Sequence, residues 1–222
     1  MSKVPKRYVR EIRDNLGRFP IWPLVDDAPL GSIGFFSGRK AVFSWKGSVS
    51  AFGINLKATG GVKQISELYT SKGAVQFRFD VGLNSIGEAK FGFRQSGAVA
   101  TQCYDLSLSS LPLAALETEL VKRIKSGQIK WDKRWVVVTG IFASKSFTAL
   151  ISGGRRCTAE LATKLPVTGI GFNIADPNLD IGIAAGDRME YQAVAEKGIE
   201  PFIKVHCLAF PKKGDPYLKP YG

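Results

Sequence analysis

In the run VQFRFDV, residues 75–81, every second residue is apolar: Val75, Phe77, Phe79 and Val81 alternate with Gln76, Arg78 and Asp80. A helix would scatter those apolar residues around its circumference, whereas an extended strand puts them all on one side. The segment is therefore a strand with one buried and one wet face. EAKFGFR repeats the pattern, with Ala89, Phe91 and Phe93 opposed by Glu88, Lys90 and Arg94, and AVATQCYDLSL continues as a third strand. A slip of one residue would turn every phenylalanine into water, so the register of such strands is strongly specified.

Strands dominate the rest of the chain. SIGFFS, KAVFSWK and SVSAFGI in residues 32–54 read as short strands between Gly-rich turns. RWVVVTGIFA, SFTALIS, CTAELAT, VTGIGFNI, LDIGIAA, RMEYQAVAE and FIKVHCLAF follow one another from residue 134 to residue 210.

Two segments break this habit. Residues 5–16 carry Tyr8, Val9, Ile12 and Leu16 on one helical face and Lys6, Arg10 and Arg13 on another, with Pro5 suited to the first turn and Gly17 to the stop. Residues 112–126 form a second amphipathic helix with Leu113, Leu116, Leu120 and Ile124 as its stripe. Its acids, Glu117 and Glu119, precede its bases, Lys122, Arg123 and Lys125, as the helix dipole favours. The order helix, strands, helix, strands predicts an α+β fold on a twisted, mostly antiparallel sheet. One domain over residues 1–210 is expected, followed by an extended tail, PKKGDPYLKPYG, at 211–222.

The formal net charge of +12 favours an anionic partner, either nucleic acid or an acidic membrane surface. No apolar run approaches the roughly 20 residues of a membrane helix, and MSKVPKRYVREIRDNLG lacks the apolar stretch of a secretory signal. Cys103, Cys157 and Cys207 are odd in number and far apart, which suggests reduced thiols in a cytoplasmic protein.

Catalytic constellations are missing from the sequence. The single histidine, His206, sits in a strand, where a local hydrogen-bond partner is expected, and Cys207 beside it points to the opposite face. There is no CxxC pair or HExxH motif, SGGRRC lacks P-loop spacing, and GIGFNI lacks the third glycine of a dinucleotide fingerprint. No cofactor and no metal are expected, and the chain reads as a non-enzyme. Aromatics interleaved with bases in QFRFD and AKFGFR suggest base stacking on a charged sheet, but burial of the phenylalanines is the better reading of each strand.

The order of elements resembles the gasdermin N-terminal pore-forming domain, most closely that of the short bacterial gasdermins. WVVVTGIFASKSFTALIS, residues 135–152, resembles that family's YVVTEV-type strand and the strand after it. LDIGIAAGDRMEYQAVAEKGIEPFIKVHCLAF, residues 179–210, resembles its closing strands. Gly140 stands where the family often has an acidic residue, and no cysteine precedes Cys103 to match the lipid-modified one of bacterial members.

The resemblance implies a latent protein, cytoplasmic at rest, that binds acidic membrane lipids and homo-oligomerises into a transmembrane β-barrel on activation by a protease. The outcome would be permeabilisation and cell death, in bacteria as antiphage defence. It makes Lys6, Arg7, Arg10 and Arg13 the lipid-binding residues. Val75, Phe77, Phe79, Val81, Phe91 and Phe93 become membrane-inserting strand positions, within hairpin units expected at 74–107 and 145–175. GLNSIG and SGGRR would extend or become tips. The tail would hold the chain inactive, with Lys212 and Lys213 as the cleavage point. The alternative is a basic, non-enzymatic α+β protein that binds nucleic acid or an acidic protein.

Overall fold

Helix α1 (Lys6–Leu16) buries Tyr8, Val9 and Ile12 on the face its periodicity predicts. Its last carbonyls are closed by Gly17, whose φ of 62° is the left-handed conformation that favours glycine. The computed structural model describes residues 6–21, 28–37, 42–61, 63–81, 86–166, 179–183, 189–195 and 199–221, and within several strands the backbone alone. After α1 come β1 (Phe19–Pro20), β2 (Ser32–Ser37), β3 (Val42–Ser48), β4 (Lys63–Thr70), β5 (Val75–Val81), β6 (Ile86–Phe93) and β7 (Val99–Ser110). Helix α2 (Leu113–Lys125) leads to β8 (Val136–Ser144), β9 (Ser146–Ser152), β10 (Cys157–Pro166), β11 (Leu179–Ile183), β12 (Met189–Ala195), β13 (Ile199–Ala209) and β14 (Tyr217–Pro220). Every strand register defined among these is antiparallel, and the fold is α+β as predicted.

The chain divides into two compact units. The first holds residues 1–63, 107–143 and 200–222. In it β13 lies between β1 and β8, β8 also pairs with the end of β7 and with β2, β3 pairs β2, and β14 lies along β13. One apolar cluster gathers Phe19, Val136, Val138, Ile203 and Val205. Another gathers Ile33, Val49, Ile54 and Val137 with Leu116 and Leu120 of α2. Gly140 is explained here by space: a Cβ at that position would lie 3.1 Å from Leu108 Cδ1 and 3.2 Å from Lys204 Cβ.

The second unit holds residues 64–106 and 144–199. In it β9 pairs with the first half of β7 and with β12, and β4 pairs β7. A separate four-stranded sheet runs in the order β11-β10-β6-β5. Phe91, Phe93, Cys157 and Ala159 of that sheet bury themselves against Ala98, Ala100 and Leu150.

Several expectations need correction. SVSAFGI is not a strand beyond Ser48: Val49–Phe52 is a short 3-10 turn, because the Ser48 hydroxyl accepts from the Ala51 amide and Gly53 closes it at φ 72°. Leu113, placed on the buried stripe of α2, is 41% exposed, since the stripe is anchored one turn later by Leu116 and Leu120. The hairpin units expected at 74–107 and 145–175 concern an inserted state; in this conformation β7 pairs with β9, β6 lies between β5 and β10, and SGGRR joins β9 to β10. VTGIGFNI and residues 82–85 of GLNSIG lie outside the described residues.

Candidate functional site

The four-stranded sheet consists of two hairpin pairs, β5–β6 and β10–β11, joined edge to edge through β6 and β10. Registration carries the alternation of each strand across all of them. Phe77 stands opposite Phe91, Phe91 opposite Ala159, and Ala159 opposite Ile183. The next row on that face is Phe79, Ala89, Leu161 and Ile181, and Val75, Phe93 and Cys157 form the row on the other side. Polar positions fall between these rows: Gln76, Gly92 and Thr158, then Arg78, Lys90 and Glu160, then Asp80 and Glu88. The sheet is therefore amphipathic as a unit, not only strand by strand.

Of the strand positions singled out, Phe91 and Phe93 are fully buried and Val75 packs half-buried beside them. Phe77, Phe79 and Val81 hold their register positions in β5, and their side chains lie outside what is described. Burial of Phe91 and Phe93 removes them as stacking platforms for bases in this conformation. On the polar face the register sets Arg78 opposite Lys90, and Lys90 in turn opposite Glu160.

The basic face of α1 is partly neutralised on its own helix. Arg7 Nε lies 3.9 Å from Glu11, Arg13 Nη2 lies 2.8 Å from Asp14, and Arg10 is exposed. Lys6 opens the helix, and its side chain is outside the described residues.

The tail is not merely extended. β14 pairs with β13 from His206 against Pro220 to Ala209 against Tyr217. The Leu218 amide donates to Glu117 Oε2 of α2 at 2.6 Å, and Lys125 of α2 lies 2.6 Å from Asp215. The Tyr221 amide donates to the Val205 carbonyl at 3.1 Å, and its ring stacks on Phe36 with centroids 5.5 Å apart. Lys212 and Lys213 are exposed in the connection that precedes β14. The role of Glu117 had no local signal in the sequence, because its partner lies a hundred residues further along the chain.

His206 has the hydrogen-bond partner expected of a strand histidine: Nδ1 lies 2.7 Å from Thr139 Oγ1. Burial, and then the charge of Lys204, hold its pKa below the ordinary value of 6.5. Cys103 and Cys157 are buried, Cys207 is half-buried, and none of the three is in a disulfide. Among the described residues no three His, Cys, Asp or Glu side chains gather in a way that could hold a metal ion. No described helix is long and apolar enough to cross a membrane, which says nothing of crossing with strands. A scan against models of known protein families finds no match to the chain, and a search of curated proteins finds none either.

Proposed function

We propose that the chain is a latent, gasdermin-like pore-forming protein that binds acidic membranes and assembles into a transmembrane β-barrel. The observation that carries this reading is the β5–β6 and β10–β11 sheet, whose apolar rows run unbroken across its strands. A membrane barrel requires that arrangement, because lipid wets one face of every strand and water the other. Closure by several copies would remove the edges that hydrocarbon cannot tolerate. β5 has 7 residues and β6 has 8, so both must lengthen to the roughly 9–11 residues of a membrane strand.

The tail fits the part of a latch. β14 covers the edge of β13, and an uncovered edge would present unpaired donors and acceptors to a second copy. Cleavage at Lys212 or Lys213 would leave β14 tethered only by its own contacts. Arg10, with Lys6, Arg7 and Arg13, supplies first attraction to an anionic leaflet, at about 1 kcal/mol for each exposed cation.

Dye release from anionic liposomes tests the reading, with the intact chain compared to protease-nicked protein and to a chain ending at Phe210. Release only after loss of the tail is the expected result. Release by the intact chain would keep the pore and remove the latch. No release in any form on several lipid mixtures would sink the pore and return the chain to a soluble basic binding protein.

A further inference from the structure

Three connections meet at one end of the second unit. Residues 71–74 enter β5, residues 94–98 leave β6, and residues 152–156 pass from β9 into β10. Buried serines tie them together. Ser71 exchanges hydrogen bonds with Val99, its amide donating to the Val99 carbonyl at 2.8 Å and its hydroxyl accepting from the Val99 amide at 3.0 Å. The Ser152 hydroxyl donates to the Gln95 carbonyl at 2.6 Å, and the Gly97 amide donates to the Ser152 carbonyl at 2.6 Å. Ser96 Oγ donates to the Gly153 carbonyl at 3.2 Å, and the Arg94 amide donates to the Ala74 carbonyl at 2.8 Å.

The three connections carry Lys72, Arg94, Arg155 and Arg156, all exposed, and not one acidic residue. Among the described residues no carboxylate pairs with any of the four. Arg156 also sits at φ 61°, a strained position for a side chain, one residue beyond the Gly153-Gly154-Arg155 run. The result is four unneutralised cations on a fixed frame instead of on a loose tail.

We infer that Lys72, Arg94, Arg155 and Arg156 form a second headgroup-binding surface, which seats this end of the hairpin sheet on an anionic phospholipid leaflet. The chemistry it fits is a dense layer of phosphates and carboxylates read by charge. The three connections contain no aromatic residue, so nothing there stacks a base. They hold the start of β5, the end of β6 and the start of β10, and so lie at the opposite end of β5 and β6 from their connection at 82–85. A strand pair that crossed a bilayer connection-first would leave this end at the leaflet of entry. That consequence rests on the pore reading; the binding itself does not.

The test is flotation of the full chain, before and after limited proteolysis, with phosphatidylcholine vesicles that contain or lack phosphatidylserine. The same samples are read for dye release. The variant Lys72→Gln/Arg94→Gln/Arg155→Gln/Arg156→Asn keeps a residue that tolerates left-handed backbone at 156 and is checked for an unchanged melting curve. A charge-matched control carries Lys57→Gln/Lys122→Gln/Lys130→Gln/Lys133→Gln. The loop variant should lose on the order of 100-fold in affinity for the phosphatidylserine vesicles at low salt, and the control only a few-fold. An equal loss in both variants, no loss in the loop variant, or no flotation of the parent chain overturns the inference. So does a loop variant that loses affinity for a duplex oligonucleotide while binding vesicles normally. Site-specific loss of flotation without dye release from any form upholds the surface and sinks the pore. Dye release that survives the loop variant with flotation unchanged does the reverse.

Discussion

The tail strand β14 and the hairpin pair β5–β6 are both short antiparallel additions to a sheet, yet they are held by different means. β14 has four residues and leans on side chains far away in sequence: Glu117 and Lys125 of α2, and Phe36 under Tyr221. The β5–β6 pair is held by its own backbone ladder and by one apolar face. A latch fastened at a few polar points can be undone by one cut or one lost carboxylate. A sheet held by a continuous greasy face stays in place until that face is offered another apolar surface. Under the proposed function the contrast sets an order of events, with release of the tail first and movement of the sheet second.

The sharpest way to break the contrast is Phe91→Ala. Phe91 is fully buried in a cluster with Phe93, Ala100, Leu150, Cys157 and Ala159. The substitution should cost about 3–5 kcal/mol of stability, read as a lowered midpoint in urea unfolding. A loss under about 1 kcal/mol would mean that the apolar face does not hold the sheet.

Glu117→Ala attacks the other side of the comparison. It removes the acceptor of the Leu218 amide at the half-buried join between tail and α2. A hydrogen bond to a charged group of this kind is worth about 1.5–3 kcal/mol, and partial exposure brings the expected effect to the lower end. Hydrogen exchange at the Leu218 amide should rise, and cleavage after Lys212 or Lys213 should quicken, while the amides of β6 keep their protection. If β6 loosens equally, the two regions are not independently fastened.

Why the hairpin sheet was legible in the sequence and the latch was not follows from these differences. Strict alternation in VQFRFDV and EAKFGFR is a local signal that survives without tertiary context, so these two strands and both helices could be placed from residues alone, whereas β4 (Lys63–Thr70) was not. Partner choice was not local. Nothing in CTAELAT tells that β10 pairs with β6 rather than with β9, and nothing in residues 211–222 names Glu117 as an anchor. The Ser48 and Gly53 caps overrode the strand-like composition of SVSAFGI for the same physical reason: hydrogen bonds at two ends outweigh a weak propensity. SGGRR was legible as a basic break but not as part of a cluster, because Lys72 and Arg94 reach it only through the fold.

The smallest expected effect concerns pH, and it bears on the latch side alone. His206 stands opposite Pro220 in the β13–β14 pair, hydrogen-bonded to Thr139 and on the same face of β13 as Lys204. Burial, and then Lys204, disfavour its protonated form, so the folded chain holds this proton less well than the unfolded one. Unfolding therefore takes up a proton as the pH falls below the ordinary value of 6.5, and the stability His206 contributes above that value is lost toward its depressed folded pKa. Protonation would also make Nδ1 a donor, forcing the Thr139 hydroxyl to accept where it could previously donate. Acidification across this range should lower the protection of the β14 amides relative to their intrinsic exchange rates, and His206→Gln should flatten that dependence while leaving the protection of the hairpin amides as it was. An unchanged pH profile in His206→Gln would place the acid sensitivity elsewhere and leave the latch fastened by Glu117, Lys125 and Tyr221 alone.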